Sequence, residues 1–303
     1  MEALISIAMV YLFIVLGFGA KKTFGEQINE QTLVLVSLYF LQPILTFWGL
    51  TRTQINQELL LIPLIYLLVV GIVLLLSIIA APRVLKDPKE RSIFIAASLI
   101  GNTGNLGIPL GIALFGEQSV AYTSILNIAN VFFIYTIGVY FYAKGEFTIK
   151  QSLMQIVKIP VLWFALLAIA YNAAGMTIHP NVDKFLEMGA YATIVIQLMI
   201  FGIYLAEVKV KTIDYAFSLK ITAIKHFILP IAGLVAIWLF GLNPLVSAIL
   251  LLELCVPLAV NNVNMAALYN CSPAKTTEAI LFTTLFFVFA IYFYMQLFWY
   301  ILK

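Results

Sequence analysis

Two long apolar segments of this chain are interrupted near their middles by glycine, proline and asparagine. One interruption lies at residues 101–109 (GNTGNLGIP) and the other at residues 256–264 (VPLAVNNVN), so each half of the sequence contains one. Bilayer hydrocarbon cannot hydrogen-bond an exposed amide. Non-helical backbone therefore survives at membrane depth only inside protein or beside a wet cavity. A matched pair of such interruptions indicates a transport site.

The composition places the chain in a membrane. Its residues are 63% hydrophobic and only 10% charged, which is too little polar surface for a soluble globule of 303 residues. The net charge of +3 gives no sign of a nucleic-acid partner. Cys255 and Cys271 form neither a disulfide framework nor a metal-binding spacing, and neither histidine has a ligand partner at short range. We therefore expect no metal, no cofactor and no nucleic acid.

Ten apolar segments are long enough to cross about 30 Å of hydrocarbon. They predict a first five-helix repeat at residues 1–143, a short cytoplasmic linker at residues 144–152 and a second repeat at residues 153–303. The two interruptions fall in the fourth and the ninth helix. The predicted helices lie near residues 3–20, 32–50, 59–81, 91–116, 120–143, 153–174, 188–206, 219–240, 244–269 and 275–302.

Lysine and arginine are divided unequally between alternate connections, and cytoplasmic connections carry the excess in membrane proteins. This assigns the richer set to the cytoplasm and both termini to the outside of the plasma (cell inner) membrane. Because each half has an odd number of spans, the halves can repeat only with inverted topology. The richer set is Lys21, Lys22, Arg83, Lys86, Lys89, Arg91, Lys144, Lys150, Lys209, Lys211, Lys220 and Lys275, and the poorer set is Arg52, Lys184 and Lys303.

Three further basic residues, Lys158, Lys225 and His226, fall inside predicted spans. All three lie within one or two turns of a cytoplasmic span end, where long basic side chains reach water. They are predicted to be membrane anchors and not site residues.

The interruptions contain groups that bind a ligand well. Proline has no amide hydrogen, so Pro109 frees the carbonyl of Asn105 and Pro257 frees that of Glu253. Each interruption also begins a new half-helix, whose unpaired amides favour a carboxylate. Asparagine side chains offer donors and acceptors without a charge. We predict that the substrate contacts six residues: Asn102, Asn105, Pro109, Pro257, Asn261 and Asn262.

Helix packing is the other explanation of these residues. Glycines let helices approach closely, and asparagines form hydrogen bonds between helices. Packing accounts for the small residues of each interruption. It does not account for proline and asparagine clusters in corresponding spans.

Glu253 is the only acidic residue that the span assignment places deep inside a helix. A carboxylate there costs about 2.5 kcal/mol or more, so it must be protonated, paired or bound to a cation. Thr123, Asn127 and Asn130 share one face of the fifth predicted helix, and this face would complete an ion or proton site with Glu253. A neutral acid bonded to a neighbouring helix, and ordinary hydrogen bonds between helices, stay open as alternatives.

The two interruptions resemble those of the auxin efflux carrier family. The resemblance covers essentially the whole chain, and GNTGNLGIP is its most specific part. It implies an all-α integral membrane protein of ten helices in two inverted five-helix repeats, with helices four and nine crossing at their prolines. Sodium/proton antiporters and bile-acid symporters have related folds. It also implies a homodimer, with helices 1, 2, 6 and 7 as scaffold and helices 3–5 and 8–10 as transport domain.

The resemblance implies a secondary transporter that moves a small organic anion, such as a carboxylate, by alternating access. Asn102 and Asn105 would then hold the substrate carboxylate beside the two prolines. Glu253 is similar to an acidic residue of bile-acid sodium symporters, which have glutamine four places later. This chain has Pro257 there, so coupling to Na⁺, to H⁺ or to neither stays open.

Two other classes compete with an organic-anion carrier. An inorganic cation/proton antiporter has the same architecture, but such proteins use paired aspartates and this chain offers the single Glu253. A membrane sensor or intramembrane enzyme ranks last, because the spans contain no metal motif and no nucleophile–base constellation. We therefore expect a transporter in contact with lipid, and not an enzyme.

Overall fold

The computed structural model describes residues 2–53, 55–143, 157–207 and 214–302. This part of the chain is built from helices and contains no β-strand. Seven helices are long and apolar enough to cross a membrane, and three shorter apolar helices accompany them. The prediction of an all-helical membrane protein is confirmed. The predicted linker at residues 144–152 and the start of the sixth predicted helix lie outside the described residues.

The helices are numbered here in chain order. Many of them begin at a proline, a residue whose missing amide hydrogen is harmless in a first turn. In the described part of the chain they are α1 (Glu2–Phe24), α2 (Glu30–Thr51), α3 (Gln57–Val84), α4 (Pro88–Ala97), α5 (Thr103–Phe115), α6 (Glu117–Tyr142), α7 (Pro160–Ala173), α8 (Pro180–Glu207), α9 (Tyr215–Phe240), α10 (Pro244–Cys255), α11 (Asn261–Leu268) and α12 (Pro273–Ile301).

Both interruptions appear as breaks between consecutive helices, at residues 98–102 and 256–260. Pro257 lies within the second break. Pro109 does not lie in the first, because α5 has already begun at Thr103 with a π-helical turn, and the proline occupies the first turn of the α-helical part that follows. The first break therefore starts earlier than its proline suggests.

The chain forms two compact units. The first unit comprises Met1–Leu61, Gly104–Ile128 and Ile156–Glu207, and the second comprises Ile62–Thr103, Ala129–Gln155 and Val208–Lys303. Each unit therefore draws on both halves of the sequence. The division into scaffold and transport helices stays a prediction.

Close backbone contact holds the first unit together. Helix α1 packs on α8, and α2 packs on α7. An added Cβ at Gly17 would lie 2.1 Å from the carbonyl oxygen of Met199, and one at Gly202 would lie 1.9 Å from that of Ile14. Only glycine allows helices to approach this closely, which is a common means of association in membranes.

The second unit is organised around α10. Every residue from position 246 to position 255 is buried, and α10 packs against both α9 and α12. A helix that is apolar around its whole circumference belongs at the centre of a bundle. The short helix α11 packs on α12. Any polar side chain on α10 is consequently held in the interior of this unit.

Candidate functional site

The two breaks pair with each other inside the second unit. Gly101 and Leu258 form an isolated antiparallel bridge. The Asn102 amide donates to the Pro257 carbonyl at 2.8 Å, and the Ala259 amide donates to the Ile100 carbonyl at 3.0 Å. Each break thus satisfies backbone groups of the other, as backbone at membrane depth requires. We call residues 98–102 and 256–260 the paired breaks.

Two buried asparagines anchor the paired breaks. The Asn262 side-chain amide donates to the Ile100 carbonyl at 3.2 Å and to that of Ala259 at 2.9 Å, and its Oδ1 accepts from the Tyr142 hydroxyl at 3.0 Å. Asn130 Nδ2 donates to the Gly101 carbonyl at 2.8 Å. Both side chains are already engaged by the protein, which gives them a structural role at the breaks.

Asn102 is different from these anchors. Its backbone amide takes part in the pairing, but its side-chain Nδ2 finds no hydrogen-bond partner among the described residues, although the residue is only 3% exposed. Leaving a buried donor unpaired costs about 1–3 kcal/mol. An unpaired amide in a polar centre is therefore available to a ligand.

Lys225 lies in the interior, so its prediction as a membrane anchor was wrong. Its ammonium is fully buried and lacks a hydrogen-bond partner within the residues described. A Cβ placed on Gly101 would lie only 2.7 Å from Lys225 Nζ and 3.6 Å from the Glu253 carbonyl oxygen. The glycine of the first break therefore leaves the space that the ammonium occupies.

A wide turn of α9 holds Lys225 in this position. Residues Ile224–Ile228 form a π-helical turn just before Pro230, a feature that is frequent at functional sites. The Tyr294 hydroxyl donates to the His226 carbonyl at 3.0 Å, the group whose helical partner Pro230 removes. His226 is also buried, at 2% exposure, so it is not a membrane anchor either.

An error in the predicted helix start explains why the sequence prediction missed Lys225. Helix α9 begins at Tyr215, one turn before the predicted start, which moves Lys225 about 15 Å from the helix end. The sequence signal at this position is Pro230, because a proline within a helix often accompanies a local departure from regular α-helical geometry. The same reasoning places His226 in the interior.

Glu253 lies where the sequence predicted, deep in the interior of α10. The residue is fully buried, and neither carboxyl oxygen has a hydrogen-bond partner in the described part of the chain. It interacts electrostatically with Lys225, although the two side chains are not hydrogen-bonded to each other. A buried acid and a buried base thus lie close to the paired breaks.

The remaining predicted site residues are distributed between the units. In the second unit, Pro257 is buried and Asn261 is half-buried at the start of α11. Asn105 and Pro109 belong to the first unit, where Asn105 is half-buried and Pro109 is buried. The other two predicted residues, Thr123 and Asn127, are also buried in the first unit.

Thr123 and Asn127 each have local contacts. The Thr123 hydroxyl donates to the Ser119 carbonyl of its own helix at 3.0 Å. An added Cβ on Gly104 would lie 3.0 Å from Asn127 Oδ1. Across the described residues, no group of three or more His, Cys, Asp or Glu side chains is arranged to hold a metal ion.

The fold and this polar centre define a class: a multi-pass, all-helical membrane protein with unpartnered polar groups at two helix breaks is a membrane transporter. The chain belongs to the membrane transport protein family, whose model matches residues 2–295. This confirms the resemblance to the auxin efflux carrier family. Transport, and not catalysis, is the activity of this family.

A curated relative supports the assignment. An uncharacterized transporter of Methanocaldococcus jannaschii is 24% identical over 291 residues, and the match covers 92% of this chain and 94% of that protein. The similarity extends over nearly the full length of both chains, so it includes both breaks.

Proposed function

We propose that this transporter moves a small organic anion, such as a carboxylate, across the plasma membrane by alternating access at the paired breaks. The observation that supports this proposal is that two buried donors, Asn102 Nδ2 and Lys225 Nζ, have no hydrogen-bond partner among the described residues. Unused donors together with a positive charge favour an anion over a cation. A carboxylate oxygen would satisfy donors that the fold itself leaves unpaired.

The proposed architecture is ten spans in two inverted repeats, with α4–α5 and α10–α11 as the broken fourth and ninth spans that cross. The shorter apolar helices α5, α7 and α10 complete the seven long ones. The helices α1, α2, α7 and α8 would be spans 1, 2, 6 and 7. The pairing of α1 with α8 and of α2 with α7 supports the repeat, because a symmetry that relates spans 1 and 2 to spans 6 and 7 converts the first pair into the second. Both termini would be extracytoplasmic, and two copies would form a homodimer.

Within this site the predicted residues take different roles. Asn102 and Asn261 would contact the substrate beside Pro257, within the second unit. Asn105 and Pro109 belong to the first unit, and their contact with the substrate stays a prediction from the sequence. Asn262 would act indirectly, because its amide already holds the first break in place. Glu253 would be the coupling residue. Thr123 and Asn127 belong to the first unit, and their part in coupling stays a prediction from the sequence.

An inorganic cation/proton antiporter is the second candidate. Glu253 favours it, since both of its oxygens lack a partner within the described ranges and oxygen is the ligand that hard cations prefer. Lys225 opposes it, because a buried ammonium that interacts with Glu253 repels a second cation. We propose H⁺, and not Na⁺, as the coupling ion, because a proton forms a covalent bond with the Glu253 carboxylate and needs no shell of oxygen ligands beside the ammonium.

Asn102→Ala tests the site. Because Asn102 Nδ2 bonds to no described residue, the substitution should leave the melting temperature unchanged. Lactate, succinate and benzoate would first be screened by thermal shift and then by uptake into proteoliposomes. Any anion that the wild type carries should lose at least about tenfold in apparent affinity, since a hydrogen bond to a charged group is lost.

The matched control is Asn264→Ala, since Asn264 is exposed on α11 and should behave as the wild type. Asn105→Ala and Asn261→Ala extend the test to the other predicted contacts. If all three site variants fold and carry every identified substrate normally, the site assignment is wrong. If the wild type carries no organic anion but moves Na⁺ or H⁺, the second candidate replaces the first.

A further inference from the structure

Lys225 and Glu253, called the buried pair below, are the fully buried charged side chains beside the paired breaks. Neither has a hydrogen-bond partner among the residues that the structure describes, yet they interact electrostatically. Charged groups at this depth are stable only when they are compensated. The charges of Lys225 and Glu253 therefore have to be considered together.

The other titratable groups around the buried pair are already engaged. His226 Nε2 lies 3.1 Å from a backbone carbonyl of α12, and Tyr294 donates to the backbone of the same histidine. The Tyr66 hydroxyl donates to Asn130 Oδ1 at 3.3 Å, and Cys255 interacts with the Tyr294 hydroxyl. These four groups use their hydrogen-bonding capacity within the protein. In contrast, Lys225 Nζ and both Glu253 carboxyl oxygens form no hydrogen bond with a described residue.

Counting charges shows what a ligand would do to this pair. With one proton shared between them, the groups are either an ammonium and a carboxylate or two neutral groups, and the total charge is zero in both cases. A second proton leaves both groups protonated and gives a net charge of +1. In a site of low dielectric constant that state needs an anion nearby, whereas an ionised Glu253 repels one.

We propose that the buried pair holds one proton when the site is empty and two when an organic anion is bound, so that each anion travels with one proton. The inference rests on the proposed function. On binding, a proton from water forms the O–H bond of the Glu253 carboxyl group while the Lys225 ammonium compensates the substrate carboxylate. On release that O–H bond breaks and the proton returns to water. No bond of the substrate changes.

Calorimetry measures the proton number directly. Lactate, succinate and benzoate are titrated into the purified full-length protein in two buffers of different ionisation enthalpy. The wild type should take up about one proton for each anion bound. Its affinity should fall by up to about tenfold for each unit of rising pH, over the range in which the probes stay ionised.

Variants assign the proton to the pair. Glu253→Gln should bind the anion with no proton uptake and with an affinity that does not change with pH. Its control, Glu26→Gln, alters an exposed residue and should behave as the wild type. Lys225→Met should weaken binding at least about tenfold, and Lys225→Arg should restore part of it, because the positive charge returns.

The control for Lys225→Met is Lys220→Met, because the Lys220 ammonium donates to the Val84 carbonyl in an exposed hydrogen bond. Anion binding without proton uptake in the wild type, or persistent uptake in Glu253→Gln, overturns this inference and leaves the proposed function intact. Failure of the wild type to bind any of the probes overturns the proposed substrate class and the inference together. If Lys225→Met does not fold, the proton numbers of the wild type and Glu253→Gln decide.

Discussion

The two units of this transporter differ in the burial of their charged side chains. In the first unit, charged side chains pair near helix ends: Lys21 contacts Glu30, and Arg52 contacts both Asp183 and Glu117. Of the described residues, all the Asp, Glu, Lys and Arg side chains that are buried belong to the second unit. They are Lys225, Glu253 and Glu278. Glu278 accepts a hydrogen bond from the Asp214 amide, whereas the other two have no such partner in the described chain.

This difference separates stability from function. The first unit pairs charges near helix ends and brings helix backbones into direct contact, which stabilises the association of its helices. The second unit keeps unpartnered ionisable groups beside irregular backbone, an arrangement that lowers stability and is retained where a protein acts on a ligand. Substitutions should therefore produce different defects in the two units.

The largest expected effect is in the first unit. Gly17→Leu would place a side chain where even a Cβ lies 2.1 Å from the backbone of Met199, so α1 and α8 cannot stay in contact. We expect no folded protein, because backbone cannot move aside as a flexible side chain does. Size-exclusion chromatography of the purified protein measures the loss.

Gly19→Leu is the matched control on the same helix. Nothing lies within 4 Å of a Cβ at Gly19, which is exposed. This variant should be recovered at the wild-type yield. Equal recovery of the two variants would show that the contact between α1 and α8 does not hold the first unit together.

The next effect concerns the buried pair of the second unit. Lys225→Met and Glu253→Gln each leave one buried group without its compensating partner, and the double variant removes both. The double-mutant cycle should therefore give a coupling free energy of about 2 kcal/mol. Denaturant or thermal unfolding in detergent measures it. A coupling free energy near zero would mean that the two side chains do not compensate each other's charge.

A smaller effect is expected at the anchor of the paired breaks. Asn262→Ala removes a donor to the Ile100 carbonyl and leaves the Tyr142 hydroxyl unpaired. The free energy of unfolding should fall by about 1–2 kcal/mol, which is the usual cost of a buried unpaired polar group. Asn264→Ala, two residues along and exposed, should change it by less than about 0.5 kcal/mol.

The smallest effect is expected at Arg52 of the first unit. Its guanidinium contacts Asp183 and Glu117, and the hydrogen bond with Asp183 raises the Arg52 pKa above its ordinary value, so the group stays charged. Because the side chain is 35% exposed, Arg52→Gln should cost only about 1 kcal/mol or less, and salt should reduce that cost. Melting temperatures at low and high salt measure it, with Lys184→Gln as the exposed control.

The sequence predicted what depends on local chemistry. Pro257 and its neighbouring asparagines correctly located the second break, and the burial of Glu253 followed from its position in an apolar run. Pro109 misplaced the first break, because a proline is tolerated in the first turn after a π-helical turn. Local pattern alone does not show that such a turn has formed.

The sequence could not predict what depends on packing. Asn262 and Asn102 look alike in the sequence, yet one amide is used by the fold and the other is not. Lys225 looked like an anchor because a shift of one turn in the start of α9 changes its depth. The space for its ammonium comes from Gly101, far away in the chain.

Counterflow in proteoliposomes measures whether this protein carries organic anions through the site of the buried pair. Vesicles containing the purified protein are loaded with an unlabelled carboxylate identified by the thermal-shift screen, and the labelled form is added outside. We expect transient accumulation of label without any sodium gradient, and loss of this accumulation in Lys225→Met. Absence of counterflow with every organic anion, together with Na⁺ or H⁺ flux through the wild type, would contradict this expectation.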